Sequence, residues 1–114
     1  MSKRDVAVTL RQIIEFADEI AALIANRSRD QLNSTKEFRR ALERCIELVG
    51  EAARRLPEEW REHHQDIPWR QIIGMRNVMI HGYDIVSNDV LWNTAAHDMP
   101  QLRAKIESIL VNEA

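Results

Sequence analysis

Apolar residues recur every three or four positions along most of the chain, and polar breaks divide them into a few long runs, the signature of amphipathic helices packed on a shared core. From about residue 4 to residue 26, Val6, Leu10, Ile13, Ile14, Ala17, Ala21 and Ile24 form one stripe, with Arg11, Glu15, Asp18 and Glu19 off it. Residues 26–34 then turn polar, with Leu32 as their one strong apolar residue, which fits a connection between helices. Ser34-Thr35-Lys36-Glu37 carries the elements of a capping box with Ser34 as N-cap and Glu37 at N3. It opens a second long run of Phe38, Ala41, Leu42, Cys45, Leu48, Val49, Ala52, Ala53 and Leu56. Within that run Gly50, Ala52 and Ala53 are small enough to let another helix come close.

Pro57 ends this run and starts a short helix to about His64, anchored by Trp60. Asp66-Ile67-Pro68 opens the next helix, in which Ile72, Ile73, Met75, Met79 and Ile80 keep helical spacing and Gly82 supplies the stop. Tyr83 to Val86 reads as a connection, and Ser87 caps a final run with Asp89 in its first turn. Val90, Leu91, Thr94, Ala95, Leu102, Ile106, Ile109 and Leu110 give that run its inner face. Pro100 lies inside it, so the spacing predicts a kink near Ala96 to Pro100, or two abutting helices with Asp98 capping the second.

The sum is an all-α, up-and-down bundle of four main helices plus short pieces, a single domain over residues 1–114. Composition agrees: three Gly and three Pro are too few turn residues for a multi-strand sheet. A formal net charge of −2 means that any nucleic-acid contact must be local rather than spread over a basic surface. The single cysteine, Cys45, excludes a disulfide framework and points to a cytoplasmic setting. No apolar run is long enough to span a bilayer, and Met1-Ser-Lys-Arg-Asp5 lacks the apolar region of a secretory signal.

Candidate chemistry narrows to one stretch. His63-His64 with Glu62 and Asp66 is the one local cluster with metal-ligand residue types, but adjacent helical residues point about 100° apart and helical metal pairs sit at i and i+4, so no metal site is assigned. His97 has no partner nearby in sequence and reads as a surface or rim residue. No phosphate-binding glycine loop, nucleophile motif or dinucleotide fingerprint is present, and no cofactor is implied. What is left is Arg76, Asn77, His81, Tyr83 and Asp84 around the end of the third main helix. Taken singly they have plain structural readings: an ion-paired surface arginine, a histidine favourable at a helix C-terminus, a tyrosine tucked against the bundle. On an ideal helix Arg76 and His81 point roughly 140° apart, so one straight helix does not easily aim both at a small substrate. Either the helix end bends or two copies of the chain pool their side chains.

Arg76-Asn-Val-Met-Ile-His-Gly-Tyr83 resembles the R-x-x-x-x-H-x-Y signature of HepT-like HEPN-domain toxins. Val49-Gly-Glu-Ala-Ala53, Ile67-Pro-Trp-Arg-Gln-Ile-Ile-Gly-Met-Arg-Asn77, Val90-Leu-Trp92 and Asp98-Met-Pro100 extend the resemblance over nearly the whole chain. One departure is Gly82, flexible where a larger residue is common. The resemblance implies a homodimeric helical bundle acting as a metal-independent endoribonuclease of a type VII-like toxin–antitoxin pair. Arg76 and His81 would be catalytic and Asn77 supporting. A minimal nucleotidyltransferase antitoxin would silence the toxin by attaching AMP to Tyr83. The residue chemistry is compatible, because RNA brings its own nucleophile in the 2′-hydroxyl and needs a base near neutrality, a cation and alignment. A different class of reading stays open: a non-catalytic HEPN dimer that is the binding partner and substrate of a nucleotidyltransferase.

Overall fold

The first helix, α1 (Lys3–Ile24), starts on a capping box just ahead of its apolar stripe: Ser2 Oγ accepts from the Asp5 amide at 3.1 Å, and the Asp5 carboxylate accepts from the Ser2 amide at 3.2 Å. Asn26, with φ 61°, takes the left-handed conformation just past its end, where Asn and Gly are favoured. The computed structural model describes residues 1–81 and 87–113, except the side chains of Ile80 and His81. Gly82 and the connection Tyr83 to Val86, including Asp84, lie outside the described residues.

The polar connection after α1 contains one helical turn, α2 (Gln31–Ser34), which buries Leu32. Ser34 therefore closes α2 instead of capping its successor. The N-cap of α3 (Lys36–Arg55) is Thr35, which makes no side-chain cap bond, so the predicted Ser34–Glu37 box is not formed. Leu56, extended at φ −66° and ψ 139°, ends α3 because the residue before Pro57 is steered out of the helical region. The short α4 (Glu58–Glu62) follows on Pro57, and α5 (Trp69–His81) on Pro68, whose carbonyl accepts from the Ile72 amide at 3.1 Å. Three aromatic rings fix the junction between them: Trp60 stacks on His64 at 3.9 Å and meets Trp69 edge-on at 5.8 Å, while Trp69 Nε1 donates to the His64 carbonyl.

The Ser87 hydroxyl accepts from the Val90 amide at 3.1 Å and caps α6 (Asn88–Asn93). A polar clasp seats this point. Arg39 on α3 donates to Asn88, Asn88 donates to Asn33 on α2 at 2.6 Å, and Arg29 pairs with Asp89. The expected break before Pro100 is a π-helical turn, Thr94–Asp98, that runs into α7 (Met99–Asn112). The Met99 amide reaches back five residues to the Thr94 carbonyl, and one extra residue in the turn absorbs the hydrogen bond that proline cannot make. Asp98 has helical dihedrals, φ −72° and ψ −41°, and makes no side-chain cap, so the expected second cap is absent.

Packing follows the stripes with three shifts. The buried line of α1 runs through Val6, Leu10, Ile13, Ala17 and Ile20, leaving Ala21 exposed. Ile46 joins the inner face of α3 and is 1% exposed, whereas Val90 on α6 is 46% exposed. α3 lies at the centre, packed against both α1 and α5, with α7 on α1. Arg103 on α7 donates to Asp18 on α1 at 2.6 Å and to Glu107 at 2.7 Å. Among the described residues there is no strand, so the all-α class holds, and no helix is long and apolar enough to cross a membrane.

Candidate functional site

α5 carries the candidate residues, and its place is set by its seam with α3. Ile72 is buried there at 8% exposure, with Ile73, Met75 and Met79 partly covered. The close approach predicted from the small residues of α3 occurs at Gly50. A Cβ on Gly50 would stand 2.9 Å from the Ile72 carbonyl oxygen and 3.2 Å from Arg76 Cα, and would run into Arg76 Cβ. Only a glycine admits the α5 backbone at this distance. By contrast Gly74, within α5, has nothing among the described residues within 4 Å of its would-be Cβ.

Arg76 leaves α5 at this seam. Its Nε is buried and has no hydrogen-bond partner among the described residues, while Nη1 donates to Asn77 Oδ1 at 3.1 Å. None of the salt bridges among the described residues involves it. The guanidinium is half-buried with no carboxylate partner among those residues, and the planar donors at its outer end match phosphate oxygens. Asn77 is exposed beside it. His81 is the last residue of α5, and its backbone is all that is described of it; Tyr83 lies outside the described residues. The structure thus brings Arg76 and Asn77 together and adds Gly50, which the sequence marked only as a packing residue.

The other histidines are engaged elsewhere. His63 and His64 each donate from Nδ1 to a carbonyl four residues back, of Glu59 and Trp60 respectively, both at 2.8 Å. His64 Nε2 sits 3.2 Å from the Glu113 carboxylate. His97 is exposed on the π-helical turn. Among the described residues no group of His, Cys, Asp and Glu side chains is placed to hold a metal ion. Cys45 is buried with Sγ 3.5 Å from Glu19 Oε2; burial first, and the neighbouring carboxylate second, push its thiol up to about 11.

A groove of about 630 Å³ flanks α5, between α3, α5 and the α6–α7 run. Ile72, Met75, Met99 and Leu102 contribute to its walls, and Val78 and Val90, both 46% exposed, stand at it with Gly74.

Among the described residues the fold is all-α, and one of its helices presents an arginine free of carboxylates and ends in histidine five residues later. The HepT-like ribonuclease family matches residues 13–109, and the chain belongs to that family. A Methanocaldococcus jannaschii protein provisionally named an RNase is 33% identical over 96% of this chain and 91% of its own. A Thermococcus cleftensis protein named probable ribonuclease HepT is 33% identical over 92% of this chain and 89% of its own. A Caldanaerobacter subterraneus protein, also provisionally named an RNase, is 40% identical over 65% of this chain and 66% of its own. No solved structure matches the chain.

Proposed function

We propose that this chain is the toxin of a toxin–antitoxin pair, a cytoplasmic, metal-independent endoribonuclease that works as a homodimer. Arg76 and His81 would be its catalytic residues, with Asn77 as an aid to Arg76. The observation that carries the reading is the state of Arg76 in a HepT-like ribonuclease family member: a buried, unpartnered Nε and no carboxylate partner among the described residues, on the helix that ends in His81.

The chemistry needs only RNA, these side chains and water. His81 takes the proton of a ribose 2′-hydroxyl as its oxygen attacks the adjacent phosphorus. The new O2′–P bond forms as the P–O5′ bond breaks, leaving a 2′,3′-cyclic phosphate and a 5′-hydroxyl that receives a proton from imidazolium or water. Arg76 donates to the non-bridging oxygens, where negative charge builds. Two copies related by a two-fold axis would pool two Arg76 and two His81 in one cleft, which answers the divergence of the two positions on one helix. The exposed apolar side chains Val78 and Val90 beside α5 favour a second copy there.

In the same reading a minimal nucleotidyltransferase is the antitoxin, and it transfers AMP to the Tyr83 hydroxyl. The transfer places bulk and a negative phosphate where RNA phosphate must lie. The test is cleavage of RNA by purified protein in the presence of a chelator. Wild type is expected to cut and to leave 2′,3′-cyclic phosphate ends, and a folded His81→Ala protein to lose cutting. A wild-type protein that binds the nucleotidyltransferase but leaves every RNA intact would favour the non-catalytic dimer. Intact mass after incubation with the partner and ATP is expected to show added AMP on wild type and none on Tyr83→Phe.

A further inference from the structure

We propose that Gly50, on the neighbouring helix, is the positioning residue for Arg76: the missing side chain at 50 sets where the arginine leaves α5. This inference rests on the reading of Arg76 as catalytic. At Gly50 the groups that a Cβ would meet are the Arg76 Cβ and Cα and the Ile72 carbonyl, one turn earlier on the same face of α5. All three are helix backbone or the root of a side chain, none of them a flexible tip that could swing aside. α5 therefore rests directly on α3 at Gly50.

The consequence falls on Arg76 rather than on the helix in general. With its Cα and Cβ against Gly50 and its Nε buried, the stem of Arg76 is held in the seam. The outer end of the guanidinium is then what remains to be aimed, and Nη1 is tied to Asn77 Oδ1 at 3.1 Å. Any side chain at 50 must push the root of Arg76 away from α3, and a displacement of about 1 Å in a phosphate-binding donor is enough to cost on the order of 100-fold in rate. Gly74 is the internal contrast: it lies on the same helix, two residues from Arg76, yet a Cβ there meets nothing among the described residues. Glycine is thus required by space at 50 and not at 74.

The experiment is single-turnover cleavage of a labelled RNA by the full chain as wild type, Gly50→Ala, Arg76→Ala and the double variant, with helicity and melting recorded for each. Gly50→Ala is expected to stay folded and to cut at least tenfold more slowly at saturating enzyme. The double variant is expected to be no slower than Arg76→Ala alone, because Gly50 acts through Arg76. A folded Gly50→Ala protein that cuts within twofold of wild type overturns the inference. So does a double variant slower than Arg76→Ala by the full factor that Gly50→Ala costs on its own, which marks a general packing defect. If Gly50→Ala does not fold, the comparison moves to an Arg76→Gly background, from which the colliding Cβ is gone. Folding of Gly50→Ala there supports the inference, and failure to fold in both backgrounds overturns it. Arg76→Ala cutting as fast as wild type is a separate pattern: it removes the catalytic reading of Arg76 and the positioning role with it.

Discussion

Nη1 of Arg76 donates a 3.1 Å hydrogen bond to Oδ1 of Asn77, its immediate neighbour on α5. Side chains one residue apart on a helix point about 100° apart, so the two must lean toward each other, and the bond turns the guanidinium outward from the seam. Asn77 is exposed, so Asn77→Ala is expected to change stability by less than about 0.5 kcal/mol. On the proposed reading it slows RNA cleavage by about tenfold, the worth of one hydrogen bond to a charged group. Asn77→Asp is expected to be worse, because a carboxylate there pairs with the guanidinium and competes with phosphate. Single-turnover cleavage rates decide: an Asp variant as fast as wild type means that the guanidinium does not meet phosphate.

Two serines that look alike in sequence differ in what they do. Ser87 Oγ accepts from the Val90 amide at 3.1 Å, whereas Ser34 ends α2 and the N-cap of α3 is Thr35. Ser87→Ala is expected to cost about 1 kcal/mol, or roughly 5 °C in Tm for a chain of this size. Ser34→Ala is expected to stay within about 0.5 kcal/mol of wild type. Thermal melts of both variants test the assignment, and equal losses would contradict it.

The long helices are legible in the sequence because a 3.6-residue period survives over many turns, as from Val6 to Ile20 and from Phe38 to Leu56. Details that depend on neighbours are less so. Ser34-x-x-Glu37 has the same letters as a working cap, but a helical turn that buries Leu32 reaches Ser34 first, while the box that does form is Ser2 with Asp5. Ile20 sits beside Ala21, an equally plausible stripe member, and only the seams with neighbouring helices choose between them, while Ile46 is buried together with its neighbour Cys45. Pro100 announces a disturbance, but whether a helix breaks, kinks or takes a π turn depends on how Thr94 and Ala95 are held in the core. At the candidate site, Arg76 and Asn77 are legible as chemistry and Gly50 as a packing residue. The relation between Gly50 and Arg76 is not, since it joins two helices through a contact that no spacing rule records.

Cys45 offers a test of the α1–α3 seam. Burial, and then Glu19 with its Oε2 3.5 Å away, raise the thiol from 9.0 to about 11. The folded state holds the proton more tightly than the unfolded state, so the thiol's contribution to stability is complete below pH 9 and is lost as the pH rises through about 11. Denaturant stability is therefore expected to decline over that alkaline range. At pH 8 alkylation of the native protein should be about 100-fold slower than that of a free cysteine from the lowered thiolate fraction alone. Glu19→Gln removes the adjacent negative charge and is expected to speed the reaction. A native alkylation rate equal to that in denaturant would contradict the buried placement.

Gly74 and Val78 lie one turn apart on α5, and both line the groove that opens between α3, α5 and the α6–α7 run. Within one chain a Cβ at Gly74 meets nothing among the described residues, so Gly74→Ala is expected to stabilise the isolated fold by roughly 0.5–1 kcal/mol through helix propensity alone. If a second copy seats on this face, as the proposed homodimer does, the added methyl instead holds the two chains apart and weakens the dimer. Val78→Asp goes further: the side chain is 46% exposed, so one chain tolerates the charge, whereas a paired face would have to bury it without a partner. Sedimentation of both variants at several concentrations is expected to show monomers that melt no lower than the wild-type monomer. On the pooled-site reading those monomers no longer cut RNA. Val78→Asp protein that remains dimeric and active would place the contact between copies on another face.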